Sequence, residues 1–478
     1  MTTSDRVYDL VVVGSSFAST FFLQEALRHA GPSFRVLVLE KGLRFSHRER
    51  QLGVQTDDAT AFRDVGSVQK PWVVHSTFGG NSHCWWACTP RLLPEDFELN
   101  SRYGVGVDWP MRYEDLEPFY CQAERAMSIS GAPLDLLPRS EPFPQDPHVF
   151  NDPDRVLAAH FPESYTVQPC ARARRRTAGR RACCAVGTCG DCPRDAKFTI
   201  ENEMSGVYDD PRVTLRLSAE VLAVEWSGNT ATGVRYRTGT GSRGDRVARA
   251  DFVALGANAI FNPGILLRSG LGDPWTGAGL NEQRSRVVRV LLDGLNNYQG
   301  STSITGHGYM CYSRPERAHR ASALIEHWNM IRLRAERGRH RELMRLKFIY
   351  EDLPQASNRV TLASDGELRV EYDGRSDYCS RGLDALEQDI EPILSVLPVE
   401  SVEFDSGSRP TESHICGTTR MSLRPEDGVV DADLLHHRIR NLAVLGSGVF
   451  PTSSPSNPTL TLSALSIRSA ARNYGSTR

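Results

Sequence analysis

The stretch from Tyr8 to Gly42 constrains the fold of this chain more than any other segment. It begins YDLVVVGSSFASTFFLQEAL and ends VLVLEKG, so one apolar run closes on Gly14, a segment of helical periodicity follows, and a second apolar run closes on Glu40. This order predicts a strand, a tight turn, a helix and a second strand. The acid follows the turn by about 25 residues. This is close to the spacing at which a carboxylate contacts the ribose of a bound dinucleotide. An ordinary α/β crossover remains the alternative, because Ser16 and Ser19 replace two glycines of the usual G-x-G-x-x-G turn.

Length and charge set the broad class of the protein. A chain of 478 residues exceeds what one hydrophobic core usually organises, which predicts two closely joined domains. The formal net charge of −2 argues against nucleic acid as the main partner. No apolar segment approaches the roughly 18 residues of a membrane span, and MTTSDRVYD has no signal core, so we expect a cytoplasmic protein without a transmembrane segment.

The remaining strand and helix signals divide the chain into three regions. Alternating segments at 213–234, the strand and helix in FVALGANAIFNPGILLRSG, and a late strand at 442–445 extend the nucleotide-binding pattern. Strand-like runs and a helix near 383–396 form a different pattern in between, and the proline-rich residues 131–165 read as a long surface connection. We predict an α/β fold, α+β overall, in which a Rossmann-like domain carries an inserted sheet-and-helix substrate domain. The predicted regions are 1–90, 195–285 and 410–478 for the nucleotide domain, 91–194 for a connection, and 286–409 for the substrate domain.

The last 70 or so residues carry the densest motifs of the chain. SHICGTTRM occupies 413–421, and a helix is predicted to begin near Pro458, with Asn457 at its N-cap or just before it. Backbone N–H groups at a helix start, together with a polar side chain, form a suitable seat for an electron-rich group.

Taken together, these motifs resemble the glucose-methanol-choline (GMC) oxidoreductases, flavoproteins that oxidise alcohols with FAD. The matching segments are the N-terminal βαβ unit, GGNS, DWPMRYEDLEPFY, GANAIFNPGILLRSG, GLNEQ, LPQASNRVTL, HICGTTRM and NPTLT. Within the family, YGVGVDWP and ACCAVGTCGDCP are most similar to the flavin subunits of bacterial sugar dehydrogenases, and GGNSHCWWACTP resembles pyranose 2-oxidases. The resemblance implies oxidation of an alcohol group on a sugar-like polyol.

The resemblance also implies a catalytic pair. His414 matches the family's catalytic histidine, and Asn457 matches the partner position, which is His or Asn in the family. Alcohol oxidation removes the hydroxyl proton while hydride leaves carbon for flavin N5, and imidazole is a suitable base near neutral pH. Asn457 would hold the alcohol oxygen and orient its C–H bond toward the flavin.

The FAD contacts implied by the family come from six stretches of the chain. Leu222 is expected to lie near the adenine through its main chain. A histidine after the double glycine is joined to the flavin in pyranose oxidases, and here either His83 or Cys84 could take that place. The full set of expected FAD contacts is Gly14, Ser16, Ser19, Glu40, Lys41, Gly79, Gly80, Asn81, His83, Cys84, Leu222, Gly446, Ser447, Asn457, Pro458 and Thr459.

Four of the eleven cysteines crowd into the pattern CC-x4-C-x2-CP. Thiolates at this density can wrap one metal centre, and disulfides are rare in a reducing compartment. The sugar dehydrogenase subunits hold a three-iron four-sulfur cluster in a similar segment, which would serve as an electron outlet. Structural zinc and unliganded thiols are the alternatives. The candidate ligands are Cys183, Cys184, Cys189 and Cys192, and the first three are the preferred set.

Other interpretations stay open at the level of sequence. The arginines of the segment 172–181 form either a solvated loop or a docking surface for an acidic partner. Electrons could pass to an acceptor protein or to oxygen, the latter in an oxidase that tailors a glycosylated natural product. A lyase or a redox-silent flavoprotein of the same family is the rival from another class, and the presence of both His414 and Asn457 counts against it.

Overall fold

The computed structural model describes residues 7–54, 56, 58–190, 192–239, 244–330 and 333–475. These residues form sixteen strands, which make up three sheets, and nine α-helices. The strands are β1 (Val7–Val13), β2 (Val36–Leu39), β3 (Arg63–Asp64), β4 (Tyr165–Val167), β5 (Val213–Arg216), β6 (Ala219–Ser227), β7 (Thr230–Thr238), β8 (Arg246–Leu255), β9 (Arg284–Leu292), β10 (Ile304–Gly308), β11 (Ala323–Trp328), β12 (Leu343–Tyr350), β13 (Arg359–Leu362), β14 (Leu368–Glu371), β15 (Val399–Phe404) and β16 (Leu442–Val444). The helices are α1 (Phe17–His29), α2 (His47–Gln51), α3 (Leu99–Tyr103), α4 (Tyr113–Met127), α5 (Asp152–His160), α6 (Asn258–Arg268), α7 (Asp377–Asp384), α8 (Leu386–Leu394) and α9 (Thr459–Tyr474).

The first sheet is built on the two apolar runs of the N-terminal segment. β1 lies parallel to β2 on one side and to β8 on the other, with Leu10 opposite both Val36 and Phe252. The strand order is β5–β2–β1–β8–β7–β6, and β16 runs parallel to the end of β8. The central strands are buried on both faces, which is why their sequences are continuous apolar runs rather than alternating ones. The predicted α/β class with a Rossmann-like domain is confirmed.

Helices α1 and α9 bring two distant parts of the chain together over this sheet. They pack against each other, and α4 packs on α9. The ring centroids of Phe22 and Phe252 are 6.2 Å apart and those of Phe252 and Tyr474 are 5.8 Å apart, so aromatic contacts join both helices to β8. Both helices begin at one edge of the sheet, which places Ser16 and Pro458, the residues before their first turns, at the same site.

The second sheet is antiparallel and has the order β15–β9–β12–β11–β10–β4. Its buried face packs on α7 and α8, as in the cluster that contains Val288, Phe348, Leu383 and Ile390. Side chains alternate along a strand, so Leu346 and Phe348 enter this core while Lys347 between them faces the opposite side. The opposite face of β11 and β12 forms one wall of the candidate site.

The boundaries between regions differ from the predicted ones. β4 lies in the predicted connection but pairs with β10 in the second sheet. β13 and β14 lie in the predicted substrate domain, yet β14 pairs with β3 near the N-terminus and their side chains share a core with Trp72 and Ile260. Sequence reasoning missed these pairings because β3 and β4 are only two and three residues long and carry no readable periodicity.

Two local predictions are also corrected. The proline-rich segment 131–165, predicted as a surface connection, contains α5. Asn151 caps this helix: its side chain accepts a hydrogen bond from the backbone N–H of Asp154, and the Asp154 side chain accepts one from the backbone N–H of Asn151. The predicted helix at 383–396 is two helices, α7 and α8, which meet at Ala385. No helix in the described part of the chain combines the length and the apolar character that crossing a lipid bilayer requires.

Candidate active site

A cavity of about 530 Å³ lies at the edge of the first sheet where its parallel strands end, and the second sheet closes it. This is the edge at which open α/β sheets bind their ligands. The wall includes the turns after β1, β2 and β8, the starts of α1 and α9, and the cavity-facing side of β11 and β12. The predicted site residues on the wall are Gly14, Ser16, Glu40, Lys41, Gly80, Asn81, Cys84, His414, Gly446, Ser447, Asn457, Pro458 and Thr459.

Glu40 stands at the end of β2 and is only 6% exposed. Its Oε2 accepts from the Ser15 hydroxyl at 2.6 Å and its Oε1 accepts from the Gly42 N–H at 2.8 Å. Burial raises the pKa of Glu40, although these hydrogen bonds act in the opposite direction. Ser15 also accepts from the Gly79 N–H at 3.1 Å, so one serine joins the first turn, the acid and the double-glycine loop.

Two glycines leave the cavity open where a side chain would fill it. Gly14 has φ +83°, and a Cβ there would lie 2.7 Å from the carbonyl oxygen of Gly256. Gly80 has φ +48°, and a Cβ there would lie 2.8 Å from the Cβ of Ser16. Both the backbone conformation and the close approach therefore require glycine at these positions.

His414 is held at two points by two adjacent residues, Glu282 and Gln283, that immediately precede β9. Its backbone N–H donates to Glu282 Oε1 at 3.0 Å, and its ring Nδ1 lies 2.6 Å from Gln283 Oε1. The amide nitrogen of Gln283 donates to the carbonyl oxygens of Ser454 and Ser456. Because the Gln283 nitrogen is used in this way, its oxygen must face His414 and accept, so the proton of the neutral ring resides on Nδ1. The lone pair of Nε2 is left for a ligand in the cavity.

Burial keeps the His414 ring in its neutral form. It lowers the pKa of His414 to about 4, while the carboxylates of Glu412 and Glu282 act in the opposite direction. The loop that carries the ring is itself fixed, because Glu282 Oε1 also accepts from Thr411 Oγ1 at 2.6 Å and from the Glu412 N–H at 3.0 Å. Burial alone would raise the pKa of Glu282, but the ion pair with Lys70 and the hydrogen bonds from Thr411 and the His414 N–H together lower it.

Asn457 lies on the same wall, immediately before α9. Its side chain is 7% exposed, and its Oδ1 is buried with no hydrogen-bond partner among the described residues. A buried carbonyl oxygen without a donor is costly, so such an atom beside a cavity indicates a ligand that supplies the donor. The helix begins at Thr459 with Pro458 as its N-cap, so Asn457 precedes the cap and its side chain is not used to close the helix.

Comparison with known proteins agrees with this arrangement. Residues 354–466 match the family model described as GMC oxidoreductase. The chain is 24% identical to the fructose dehydrogenase large subunit of Gluconobacter japonicus over 97% of each chain. It is 27% identical to 6'''-hydroxyparomomycin C oxidase of Streptomyces lividus over 98% of this chain and 91% of that one. The C-terminal part of the chain, residues 354–466, therefore belongs to the GMC oxidoreductase family. Among solved structures, pyridoxine 4-oxidase from Mesorbium loti shares its fold, with a TM-score of 0.70 and 16% identity over 98% of this chain and 100% of that one.

The residues of the cavity fit FAD, the cofactor that the sequence resemblance implies. The glycine cradle at Gly14 and Gly80 accepts a ligand that approaches the backbone closely, as a pyrophosphate does. Glu40 offers a carboxylate at the end of the second strand, where a ribose hydroxyl is bound in dinucleotide sites. The start of α9 adds backbone N–H groups at the opposite part of the wall, beside Asn457.

Four expected FAD contacts lie away from the cavity wall: Ser19, Gly79, Leu222 and His83. Ser19 is fully buried and donates to the carbonyl oxygen of Val13 at 3.0 Å, so its hydroxyl is used inside the βα turn. Gly79 supports the loop but is not on the wall. Leu222 is also off the wall, which the preceding residues of β6, Ala219, Glu220 and Val221, line instead. Sequence reasoning instead missed Ser15, one position before the serine that it named.

The candidates for covalent attachment of the flavin are separated by the structure. His83 is not on the cavity wall, and its Nε2 lies 2.7 Å from the carbonyl oxygen of Phe78. Burial lowers the pKa of His83 to about 3, so its ring is a neutral partner of the loop backbone. Cys84 is exposed and lies on the wall. Of the two, only Cys84 lines the cavity.

The four clustered cysteines do not form a metal site in this structure. Among the described residues, which include all four, no group of three or more His, Cys, Asp or Glu side chains is close enough to hold a metal ion. Cys189 and Cys192 are buried, whereas Cys183 and Cys184 are partly exposed. Burial raises the pKa of Cys183 to about 12, so this thiol is protonated at neutral pH. The predicted iron–sulfur cluster is not confirmed, and we assign no electron-transfer step to it.

The arginine-rich segment before these cysteines has a mixed role. Arg172 and Arg180 are buried at 1% and 2% exposure, and Arg180 forms an ion pair with Glu203 at 2.6 Å. Arg180 also donates to the carbonyl oxygens of Ala171 and Met127. These two arginines form buried contacts inside the protein. Neither predicted role, a solvated loop or a docking surface for an acidic partner, therefore describes the whole segment. The others, Arg174, Arg175, Arg176 and Arg181, are exposed.

Proposed function

We propose that the protein oxidises an alcohol group of a sugar-like polyol, with FAD as cofactor and His414 as the base. The observation that carries this proposal is the fixed orientation of the His414 ring, which presents an unprotonated Nε2 beside the cavity. A flavoprotein that performs no chemistry would have no need of a neutral imidazole held in one tautomer next to its cofactor, and a lyase would use the same base without reducing the flavin. The second support is the relationship to enzymes that are named as a dehydrogenase and an oxidase.

In the proposed reaction, Nε2 of His414 takes the proton of the substrate hydroxyl. The neutral ring is the required form, and its pKa of about 4 keeps it neutral at physiological pH. Gln283 holds Nδ1–H throughout and therefore stabilises the ring as Nε2 gains its proton. FAD, when bound, supplies the hydride acceptor.

Asn457 has the role of positioning the alcohol. Its side chain is fixed by burial at the start of α9, on the same wall as His414. The unpartnered Oδ1 accepts a hydrogen bond, and the amide nitrogen of the same side chain donates one to the alcohol oxygen. The Asn457 amide and the His414 ring, both in contact with one hydroxyl group, would fix the direction of the C–H bond on the carbon that carries this hydroxyl.

We assign FAD contacts to the residues of the wall as part of the same proposal. Gly14, Ser16 and Gly80 would face the pyrophosphate, and Glu40 the ribose hydroxyls. Gly446 and Ser447 follow β16 and would contact the ribityl chain, with the start of α9 beside the pyrimidine ring. Main chain near Val221 replaces Leu222 in the place expected to contact the adenine.

Fructose dehydrogenase and a paromomycin oxidase among the relatives support a sugar-like substrate. The second of these also favours one alternative, in which the enzyme tailors a glycosylated natural product and passes electrons to oxygen. The two versions share His414 and Asn457 and differ in the acceptor. Oxygen consumption in the presence of a substrate, compared with reduction of an artificial dye under nitrogen, separates them. An iron–sulfur outlet at Cys183, Cys184 and Cys189 stays a prediction from the sequence.

Anaerobic mixing of the FAD-loaded protein with a panel of sugars and alcohols tests the proposal. We expect at least one of them to remove the visible absorbance of the oxidised flavin, and His414→Ala to slow this reduction by about 10²- to 10⁴-fold while keeping bound FAD. A flavin that no alcohol reduces, or an unchanged rate of flavin reduction in His414→Ala, would contradict the proposal and favour a redox-silent flavoprotein.

A further inference from the structure

A group of three charged residues lies on the substrate side of the cavity: Glu326 on β11, Lys347 on β12, and Glu412 in the loop before His414. Glu326 and Lys347 are directly opposite each other in the antiparallel register. Lys347 forms its ion pair with Glu412, whose other oxygen accepts from the Ser285 hydroxyl. We call these three residues the charged group.

The carboxylates near His414 outnumber the lysines that face them. Lys70 is paired with Glu282 and Lys347 with Glu412. Among the described residues, the hydrogen-bond donors to Glu326 are the indole N–H of Trp328, which donates to Oε2 at 3.1 Å, and the thiol of Cys88, and neither group carries a positive charge. Glu326 is therefore a second carboxyl group beside Lys347, without a cation of its own.

Burial makes this surplus carboxyl group significant. Glu326 is 2% exposed, and an unneutralised carboxylate is costly away from water. Burial raises the pKa of Glu326, and Glu412 adds to the effect, although Lys347 acts in the opposite direction. A cation that entered the cavity would relieve both the burial cost and the repulsion between the two carboxyl groups.

The surroundings of Glu326 suit a ring-shaped substrate. Trp86 and Trp328 line the same cavity, and their ring centroids are 5.1 Å apart at an interplanar angle of 70°. Indole faces pack on the apolar faces of sugars and attract cations. The aromatic pair and the carboxyl group thus provide an apolar surface with a charged acceptor beside it.

We propose that Glu326 binds an ammonium group of the substrate, so that an amino-substituted sugar-like alcohol is preferred over its neutral counterpart. This inference rests on the proposed function, because it concerns the substrate of the same cavity. Lys347, held by Glu412, would donate hydrogen bonds to hydroxyl groups of the same molecule. Its positive charge would offset part of the negative charge of the two carboxylates. Glu326 is a specificity residue in this proposal and takes no part in proton or hydride transfer.

The test compares D-glucosamine with D-glucose, which differ in one amino group. Dissociation constants are measured on the FAD-loaded enzyme from the change in flavin absorbance at a pH of about 6, where an amine of this kind is protonated. We expect glucosamine to bind at least about tenfold more tightly than glucose. Glu326→Gln, which keeps an acceptor for Trp328, should abolish the preference for glucosamine over glucose.

Glu403→Gln is the matched control, because Glu403 lies in the same sheet, is exposed, and is outside the cavity. It should keep the wild-type preference. Equal binding of the two sugars, binding of neither, or a preference retained in Glu326→Gln would overturn the proposal. Anaerobic flavin reduction by a panel of alcohols is measured alongside: reduction without an amino preference rejects this inference alone, whereas no reduction by any alcohol rejects the proposed function.

Discussion

Nδ1 of His414 lies 2.6 Å from Oε1 of Gln283, and the amide nitrogen of Gln283 is held in turn by the carbonyl oxygens of Ser454 and Ser456. The direction of this bond cannot be reversed without leaving two carbonyl oxygens without donors. The protein thus fixes which nitrogen of the imidazole carries the proton, and with it which nitrogen can act as a base. Glu282, the residue before Gln283, fixes the backbone of the same histidine.

Gln283→Glu tests this relationship through the pH dependence of the reaction. The acidic limb of kcat/KM should reflect the pKa of His414, about 4 in the wild-type protein, because protonation of Nε2 removes the base. A carboxylate facing Nδ1–H stabilises the imidazolium ion, so the limb should move to higher pH by about 1 to 3 units. Activity should therefore be lost at a pH where the wild-type enzyme is still active.

Gln69→Glu supplies the control for that shift. Gln69 is exposed and outside the cavity, and the substitution makes the same change in charge. Its pH profile should match that of the wild type. A Gln283→Glu profile with an unmoved acidic limb would mean that His414 is not the group that titrates.

Asn457→Ala removes the group that we expect to position the alcohol. The loss of one preorganised hydrogen-bonding side chain typically lowers kcat by about 10²-fold, and we expect a decrease of this size with FAD still bound. Stopped-flow measurement of flavin reduction, together with the flavin content of the purified variant, checks both parts. An unchanged rate of reduction would remove Asn457 from the reaction.

Gly80→Ala should weaken FAD binding. The substitution places a methyl group 2.8 Å from the Cβ of Ser16 at a residue with φ +48°, so the loop must move out of the cradle. Strain of this kind costs about 1 to 3 kcal/mol, which corresponds to at least a several-fold loss of affinity. The FAD-to-protein ratio after purification, and the dissociation constant from titration of the apoprotein, give the result.

Gly31→Ala is the matched control for Gly80→Ala. Gly31 has an ordinary φ, and a Cβ there would meet nothing within 4 Å. It should bind FAD as the wild type does. If both variants kept full affinity, the double-glycine loop would not form part of the cofactor site.

Most strands of the first sheet were predictable because each has a local signal, whereas their order in the sheet was not predicted. Buried parallel strands such as β1 and β2 are uninterrupted apolar runs that end at a glycine or an acid, and both features are visible in the sequence. Helix α5 was also within reach, since Asn151 and Asp154 form a recognisable capping pair that the prolines nearby concealed. The short strands β3 and β4 were not, because their pairing depends on residues far away in the chain.

The site was predictable where a motif names the residue and unpredictable where long-range packing assigns its role. His414 stands in a motif, whereas Gln283 acts on it across 131 positions of sequence. GLNEQ was visible as a matching segment, but nothing in it shows that its last two residues would face the histidine. Glu326 reads as one acid in an apolar strand, and only the register with Lys347 shows its surplus charge.

The cysteine segment provides the last prediction. If Cys183, Cys184 and Cys189 hold an iron–sulfur cluster, the purified protein contains iron and acid-labile sulfide in fixed proportion to FAD, with broad visible absorbance beneath the flavin bands. Cys184→Ser should lose the iron, and Cys192→Ser, a substitution in the same segment outside the preferred ligand set, should keep it. Because the described thiols do not form a metal site by themselves, metal binding would have to draw them together. Stoichiometric zinc in place of iron, or no metal in protein purified without oxygen, would contradict the cluster and leave the acceptor to take electrons from the flavin directly.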